Sequence, residues 1–266
     1  MNNSFFALEA LKPTSPGSDG IPHWLLKNAA PIIAEPLAML FNASLSNAVV
    51  PTQWKTALMT PVPKVPVPKS NADFRPISLT PILSRVLEKF LVRRVFYPFL
   101  QQPTESLLVD DQYAFQPTGS TTAALIAMLH SITEMVNKYG VVQVVALDFS
   151  KAFDTVRHCT LMDKFSQTSM PDNIYNWLVS YLSGRDHCTK YNGVISSAAP
   201  INASVVQGSA LGPLAFLICS SDLRAKTPGN KVLKYADDSY LLVPSCNSNS
   251  IPDELTEIRA WAGSNN

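Results

Sequence analysis

The sequence predicts a mixed fold of the α/β (α+β) class. Apolar residues recur at helical spacing in several stretches, and short β-branched runs in the second half end or turn at aspartates. With 266 residues, 46% of them hydrophobic, the chain can bury either one large core or two small ones.

The elements follow in order. Pro13 to Pro22 is rich in Pro, Gly and Ser and ends in Asp19-Gly20-Ile21-Pro22. It reads as a loop entering a short helix, with Pro22 near the first helical position. Ile32, Ile33, Leu37, Leu40, Phe41 and Leu45 mark a second helix, which Pro36 should kink. Pro61 to Lys69 carries four prolines and two lysines. That composition excludes an interior strand or helix and predicts an exposed, stiff, basic excursion. From Pro81 to Leu100, Ile82, Leu83, Val86, Leu87, Phe90, Leu91 and Val95 line one face of an amphipathic helix, while Arg85, Lys89 and Arg93 take another. A helix from about Thr122 to Asn137 is capped by Ser120 or Thr121.

Val141 to Leu147 is a β-branched apolar run ending in an aspartate, which predicts a buried strand with a carboxylate at its tip. Ser150 to Phe165 and Pro171 to Leu182 read as helices, the second starting at Pro171 and stopping at Gly184. Cys188 to Val206 alternates loosely and predicts a hairpin around Asn192-Gly193. Leu211 to Leu223 is an apolar helix candidate. Val232 to Val243 forms two short apolar runs flanking Ala236-Asp237-Asp238-Ser239. The tail from Asn247 is polar and ends at Trp261-Ala262-Gly263, with nothing to finish the fold.

A formal net charge of +1 gives no whole-molecule sign of a nucleic-acid partner. Locally, Lys55, Lys64, Lys69, Arg75, Arg85, Lys89, Arg93 and Arg94 cluster, opposed only by Asp73 and Glu88. A solvated helix face with a loop, and a phosphate-binding surface, are both open for them. Cys159, Cys188, Cys219 and Cys246 are widely spaced without a CxxC pair, which argues against a zinc site or a disulfide framework. The N-terminus lacks the pattern of a secretion signal. Leu214 to Cys219 falls far short of a membrane span. An intracellular protein, cytoplasmic or nuclear and free of membrane, is expected.

Chemistry is concentrated at Asp148 and at Asp237 with Asp238. Carboxylates brought together at strand ends suit two Mg²⁺ ions, since hard cations take oxygen ligands. Such a pair supports in-line displacement at phosphorus. The alternatives are a plain hairpin turn for Asp237-Asp238 and a helix N-cap for Asp148.

Ala146-Leu147-Asp148-Phe149-Ser150-Lys151-Ala152-Phe153-Asp154 resembles motif A of reverse transcriptases, and Tyr235-Ala236-Asp237-Asp238 resembles their YADD motif C. Gln207-Gly208-Ser209-Ala210-Leu211-Gly212-Pro213-Leu214 is similar to motif B, and Phe74-Arg75-Pro76-Ile77-Ser78-Leu79 to a fingers motif. Asp111-Gln112-Tyr113-Ala114-Phe115-Gln116-Pro117 with Ser120-Thr121-Thr122 resembles a segment of the non-LTR retrotransposon enzymes. These matches stand in the family's order and cover about residues 13 to 262.

The resemblance implies a right-hand polymerase. Residues 1–140 would form the fingers and 141–266 the palm, with a further palm motif and the thumb missing. It implies an RNA-directed DNA polymerase, a nucleotidyltransferase that takes an RNA template, a DNA primer and deoxynucleoside triphosphates, with two Mg²⁺ ions or Mn²⁺ in their place. Asp148 and Asp237 would be the main metal ligands, with Asp238 adjacent and the Phe149 carbonyl adding an oxygen. Gln207 and Gly208 would line the nucleotide pocket, where glycine permits close backbone approach. Arg75 would contact the triphosphate, with Lys64 or Lys69 assisting, and Phe153 would sit under the sugar. For the lysines the alternative is simple solvation, for Phe153 a core aromatic, and for Gln207-Gly208 an ordinary loop.

Three positions depart from the family pattern. Val206 replaces a usual proline, Ala114 a usual glycine and Gln116 a usual arginine. The last two would weaken the grip on RNA. A rival to the polymerase is a truncated remnant that only binds nucleic acid. A metal-dependent phosphodiesterase is a second, for which motif B and the fingers motif have no purpose.

Overall fold

A computed structural model of the chain describes residues 2–100, 109–206 and 208–265. In chain order the elements are α1 (Asn2–Glu9), α2 (His23–Asn28), α3 (Ala30–Ser46), β1 (Thr56–Pro63), β2 (Phe74–Leu79), α4 (Ile82–Leu91), α5 (Tyr97–Leu100), α6 (Thr121–Tyr139) and β3 (Val142–Leu147). There follow α7 (His158–Ser166), α8 (Asp172–Leu182), β4 (Arg185–Tyr191), β5 (Val194–Ile195), β6 (Ala199–Ile201), α9 (Leu211–Cys219), β7 (Lys231–Tyr235), β8 (Asp238–Pro244) and α10 (Ile251–Asn265). Two compact units form, each from two stretches of chain: Met1–Val95 with Ser169–Gly212, and Phe96–Thr168 with Pro213–Asn266. None of the described helices is long and apolar enough to cross a membrane.

The first unit holds a sheet of order β2-β1-β4-β5, with β6 also on β4. β1 is antiparallel to β2 from Leu58 to Pro63 and parallel to β4 only from Thr56 to Met59. The strand therefore runs into the proline-rich segment, where the sequence excludes an interior strand but not an edge. Pro61 and Pro63 pair with β2 alone, where β1 has become an edge and a missing N–H costs no ladder bond on its other side. Asp73 fastens the remaining loop. Its Oδ2 accepts from the N–H groups of Lys69 and Ser70 at 2.8 Å each, and these donors hold its carboxyl below the usual range.

Pro36 lies within α3, which continues past it to Ser46. Phe41 meets Trp54 edge-on, and Trp177 Nε1 donates to Ser44 Oγ at 2.9 Å. The helix expected over Pro81 to Leu100 is present: α4 runs on without a gap through a π-helical segment, Val92–Phe96, into α5. Arg85 is withdrawn from the basic face. Its guanidinium donates to Thr14 Oγ1 at 2.8 Å and to the Ser15 carbonyl at 2.7 Å, tying down the opening loop. At the β4–β5 turn, Asn192 and Gly193 have φ of 48° and 81°, the left-handed pair that a two-residue hairpin turn demands, as expected.

The second unit holds the antiparallel sheet β3-β8-β7. Its core alternates with period 2 along β8. Leu241 and Val243 pack with Val232, Leu223 and Ile258 of α10, whereas Leu242 packs with Leu233 and Met135 of α6. β8 is thus the central strand, buried from Leu241 onward, and β3, expected to be buried, is a half-exposed edge. α6 begins as expected, with Ser120 Oγ accepting from the Ala123 N–H at 3.0 Å.

Two further expectations need correction. Residues 150–154 form turns rather than helix, with Lys151 at φ 54°, and α7 starts only at His158. The polar tail is α10, which completes the core through Ile258 and sets Trp261 edge-on to Phe149 at 5.6 Å.

α10 also carries Glu254, fully buried. Its oxygens accept from the N–H groups of Thr227 at 2.7 Å and Lys226 at 3.0 Å and from the Asn230 amide at 2.8 Å, organising the loop before β7. Burial raises the carboxyl's pKa, but these donors outweigh it and leave the value below the ordinary 4.5. With the native value depressed, the stabilisation is complete above 4.5 and lost as pH falls through the lower native value. Glu254→Gln is expected to cost about 2 kcal/mol at neutral pH, because neutral hydrogen bonds replace charge-assisted ones. In urea unfolding the gap to the native chain should shrink as the pH drops below 4.5.

Candidate active site

The second unit's sheet decides where its aspartates stand. β3 pairs with β8 so that Leu147 lies opposite Ser239, and β7 pairs with β8 so that Tyr235 lies opposite Asp238. Asp148 therefore leaves the sheet at the end where Ala236 and Asp237 make the two-residue turn, and Asp238 opens β8 there. Asp148 and Asp238 are exposed and Asp237 is half-buried. Ala236 has φ 55°, a left-handed conformation that costs a residue with a Cβ about 1–2 kcal/mol.

The donors at this sheet end are carboxylates, with the Phe149 carbonyl next in the chain. Oxygen is what a hard divalent cation takes, so the residues fit Mg²⁺ or Mn²⁺ in donor chemistry. Among the described residues, no three or more His, Cys, Asp or Glu side chains are gathered as a metal-holding cluster. Asp237 borders a small depression whose walls include Phe149, Ala152, Phe216 and Leu223.

Phe153 lies in the turns after Asp148. Its ring stacks on Phe216, with centroids 4.4 Å apart and planes at 29°, and meets Phe115 edge-on at 6.0 Å. It is half-buried within this aromatic trio.

The other expected residues belong to the first unit. Arg75 is exposed on β2, opposite Val62. Lys64 is exposed as well, but its ammonium donates to the Ala72 carbonyl at 2.9 Å within its own loop. Lys69 is exposed in that loop. Gln207 lies outside the described residues. Gly208 has φ 104°, and a Cβ there would come within 2.5 Å of the Ser78 carbonyl oxygen. The close approach that requires glycine is to β2. Buried Val206 has φ 49°, which no proline can adopt.

Three supporting residues escaped the sequence. Glu88, a mere counter-charge there, is fully buried; it accepts from Ser84 Oγ and from the Ala210 N–H, each at 2.8 Å, and so holds the loop entering α9. Its place on the apolar stripe with Ser84, Leu87 and Leu91 was the available signal. Lys234 is 2% exposed, and its ammonium donates to the Ser220 and Leu223 carbonyls at 2.7 and 3.1 Å and lies 3.0 Å from Asp111. Burial pushes the lysine's pKa down and that of Asp111 up. Sharing a strand face with Val232 was the clue. Gln112, quoted only as part of a motif, holds the peptide of Ala236.

Gly208→Ala should lower the urea midpoint, costing on the order of 1–3 kcal/mol, because both φ and the Ser78 oxygen oppose a side chain there. An unchanged midpoint would mean that this loop is free to rearrange.

Residues 67–266 match the family model described as reverse transcriptase (RNA-dependent DNA polymerase). The probable RNA-directed DNA polymerase from transposon BS of Drosophila melanogaster is 31% identical over 260 residues, covering 93% of this chain and 28% of that protein. The RNA-directed DNA polymerase from mobile element jockey of the same species is 26% identical over 260 residues, with the same coverage, 93% and 28%. The Pol polyprotein of the type-1 retrotransposable element R2 of Popillia japonica is 28% identical over 254 residues, 89% of this chain and 33% of that one. The chain thus spans a third or less of these relatives' length. A solved structure of apo telomerase from Candida tropicalis, truncated from its C-terminal domain, shares the fold with TM-score 0.55 at 13% identity, over 91% of this chain and 53% of that one. With the family model spanning most of its length, the chain belongs to the reverse transcriptase family, as a domain of the non-LTR retrotransposon type.

Proposed function

We propose that the chain adds deoxynucleotides to a primer 3′-hydroxyl on an RNA template by two-metal phosphoryl transfer. The observation that carries this reading is the strand register that brings Asp148 and the Asp237 turn to one end of the second unit's sheet. The relatives' names, RNA-directed DNA polymerases, support the reaction class. In this reading residues 1–140 serve as fingers and 141–266 as palm, and the work is done inside the cell.

Asp148 and Asp237 hold the ions, with Asp238 beside them and the Phe149 carbonyl as a further oxygen donor. Mg²⁺ bound there, or Mn²⁺, lowers the pKa of the attacking hydroxyl and stabilises the leaving oxygen. Arg75 takes the triphosphate with its planar guanidinium, helped by Lys64 or Lys69. Of the two, Lys69 is the freer to do so, since Lys64 is engaged with Ala72. Gln207 and Gly208 line the nucleotide pocket. Phe153, held by Phe216 and Phe115, lies under the sugar.

Primer extension on a homopolymer RNA template tests the reading. The native chain should extend the primer, and Asp237→Asn should reduce extension to background, because one ion loses an anionic ligand. Extension retained in Asp237→Asn means that the centre is misassigned. A native chain that binds primer-template without extending it is the nucleic-acid-binding remnant instead.

Sugar selection is the finer test. A ring under the sugar leaves no room for a 2′-hydroxyl and offers it no hydrogen bond, a penalty of about 2–4 kcal/mol. Phe153→Val should therefore raise ribonucleotide relative to deoxynucleotide incorporation about tenfold or more. Unchanged discrimination with falling activity would confine Phe153 to its aromatic stack.

A further inference from the structure

The turn carrying Asp237 is gripped from outside its own hairpin. Gln112, 2% exposed, stands 124 positions earlier in the chain. Its Oε1 accepts from the Ala236 N–H at 2.9 Å, and its Nε2 donates to the Ala236 carbonyl at 3.1 Å. The same Oε1 accepts from the Ala114 N–H at 3.0 Å. The amide is itself anchored, because the backbones of Gln112 and Lys234 form a parallel bridge. Tyr113 donates its N–H to the Lys234 carbonyl at 2.8 Å, and the Lys234 N–H donates to the Asp111 carbonyl at 2.7 Å.

This grip falls where the backbone most needs one. Ala236 is left-handed without being glycine, so an isolated hairpin would populate other turns. A side-chain amide that both donates to and accepts from one residue's backbone fixes the orientation of the adjoining peptides, as a neighbouring strand would. Asp237 follows directly, and its Cα–Cβ bond is aimed by the peptide so fixed.

We propose that Gln112 is a positioning residue for Asp237, selecting the one turn conformation that presents its carboxylate to a divalent cation. The proposal rests on the reading of Asp237 as a metal ligand. Outer-shell partners of this kind typically govern 10–100-fold in metal affinity.

The test is Mn²⁺ binding by the full chain, followed by the electron paramagnetic resonance of free Mn²⁺, in five proteins: native, Asp237→Asn, Gln112→Met, Gln112→Glu and Asn230→Ala. Gln112→Met keeps the length of the side chain and removes both bonds to Ala236. Gln112→Glu keeps the acceptor for the Ala236 and Ala114 N–H groups, but replaces the donor with an oxygen that faces the Ala236 carbonyl and adds a negative charge. Asn230, whose amide is hydrogen-bonded to Glu254 and Ser250, supplies a destabilised variant of the same unit away from the turn.

Asp237→Asn should abolish binding, Gln112→Met should weaken it about tenfold or more, Gln112→Glu should weaken it as well, and Asn230→Ala should bind like native. Native-like binding by Gln112→Met, where Asp237→Asn abolishes it, overturns the proposal while sparing the metal reading. Equal losses in Gln112→Met and Asn230→Ala reduce Gln112 to a general structural role and overturn it too. Should Gln112→Met not fold, native-like binding by Gln112→Glu does the same. Binding that Asp237→Asn leaves intact removes the metal reading, and the proposal falls with it.

Discussion

The register of β8 between β3 and β7 is the constraint on which the second unit depends. Leu241 and Val243 serve one core and Leu242 the other, so a slip of one residue would turn all three to the wrong side of the sheet. Burial of these fully enclosed side chains therefore locks the pairing. The same pairing sets Leu147 against Ser239 and Tyr235 against Asp238, and so determines the end of the sheet at which Asp148 and Asp237 stand. Apolar packing, which has no chemistry of its own, places the polar residues.

Packing does not reach the loops, and there a second device takes over. Glu254 holds the loop before β7, Glu88 the loop entering α9, Lys234 the carbonyls after α9, and Gln112 the turn at Ala236. In each case a buried polar side chain meets backbone groups of a distant segment. A buried polar group without partners costs far more than a satisfied one returns, so each contact penalises alternative loop conformations more than it adds to stability. The loops around the motif residues are specified in this way because backbone amides, unlike side chains, are present in any sequence. What the sequence must supply is the one matching polar residue elsewhere.

That division explains what could be read in advance. The helix cap at Ser120, the Asn192-Gly193 turn and the strand ending at Asp148 depend on neighbours in sequence, and their local signals sufficed. β3 has the same β-branched composition whether central or at an edge, and only the strand order decides that. Pro61 and Pro63 exclude an interior strand, but the edge strand they join depends on where β4 leaves β1, which is not visible locally. α10 was missed because Ile251, Ile258 and Trp261 are thinly spread among polar residues, although their spacing and that of Glu254 set one face. For the site, the aspartates stood out by type and position. Gln112, Glu88 and Lys234 did not, since each works on the backbone of a residue many positions away.

Gln116 shows how far this reasoning alters the meaning of a substitution. As a replacement for arginine it implied a weaker hold on RNA, through one lost cation. In the structure its Nε2 donates to the carbonyls of Val109 and Gln112, each at 2.6 Å. It therefore fastens the backbone from which the Gln112 side chain extends to Ala236. A guanidinium also donates, but it would bring a charge to a half-buried site whose partners are two neutral carbonyls, and burial penalises that charge. The neutral amide suits the position that the fold gives it. The succession from Gln116 through Gln112 to Ala236 thus links a residue judged by its lost charge to the turn that carries Asp237.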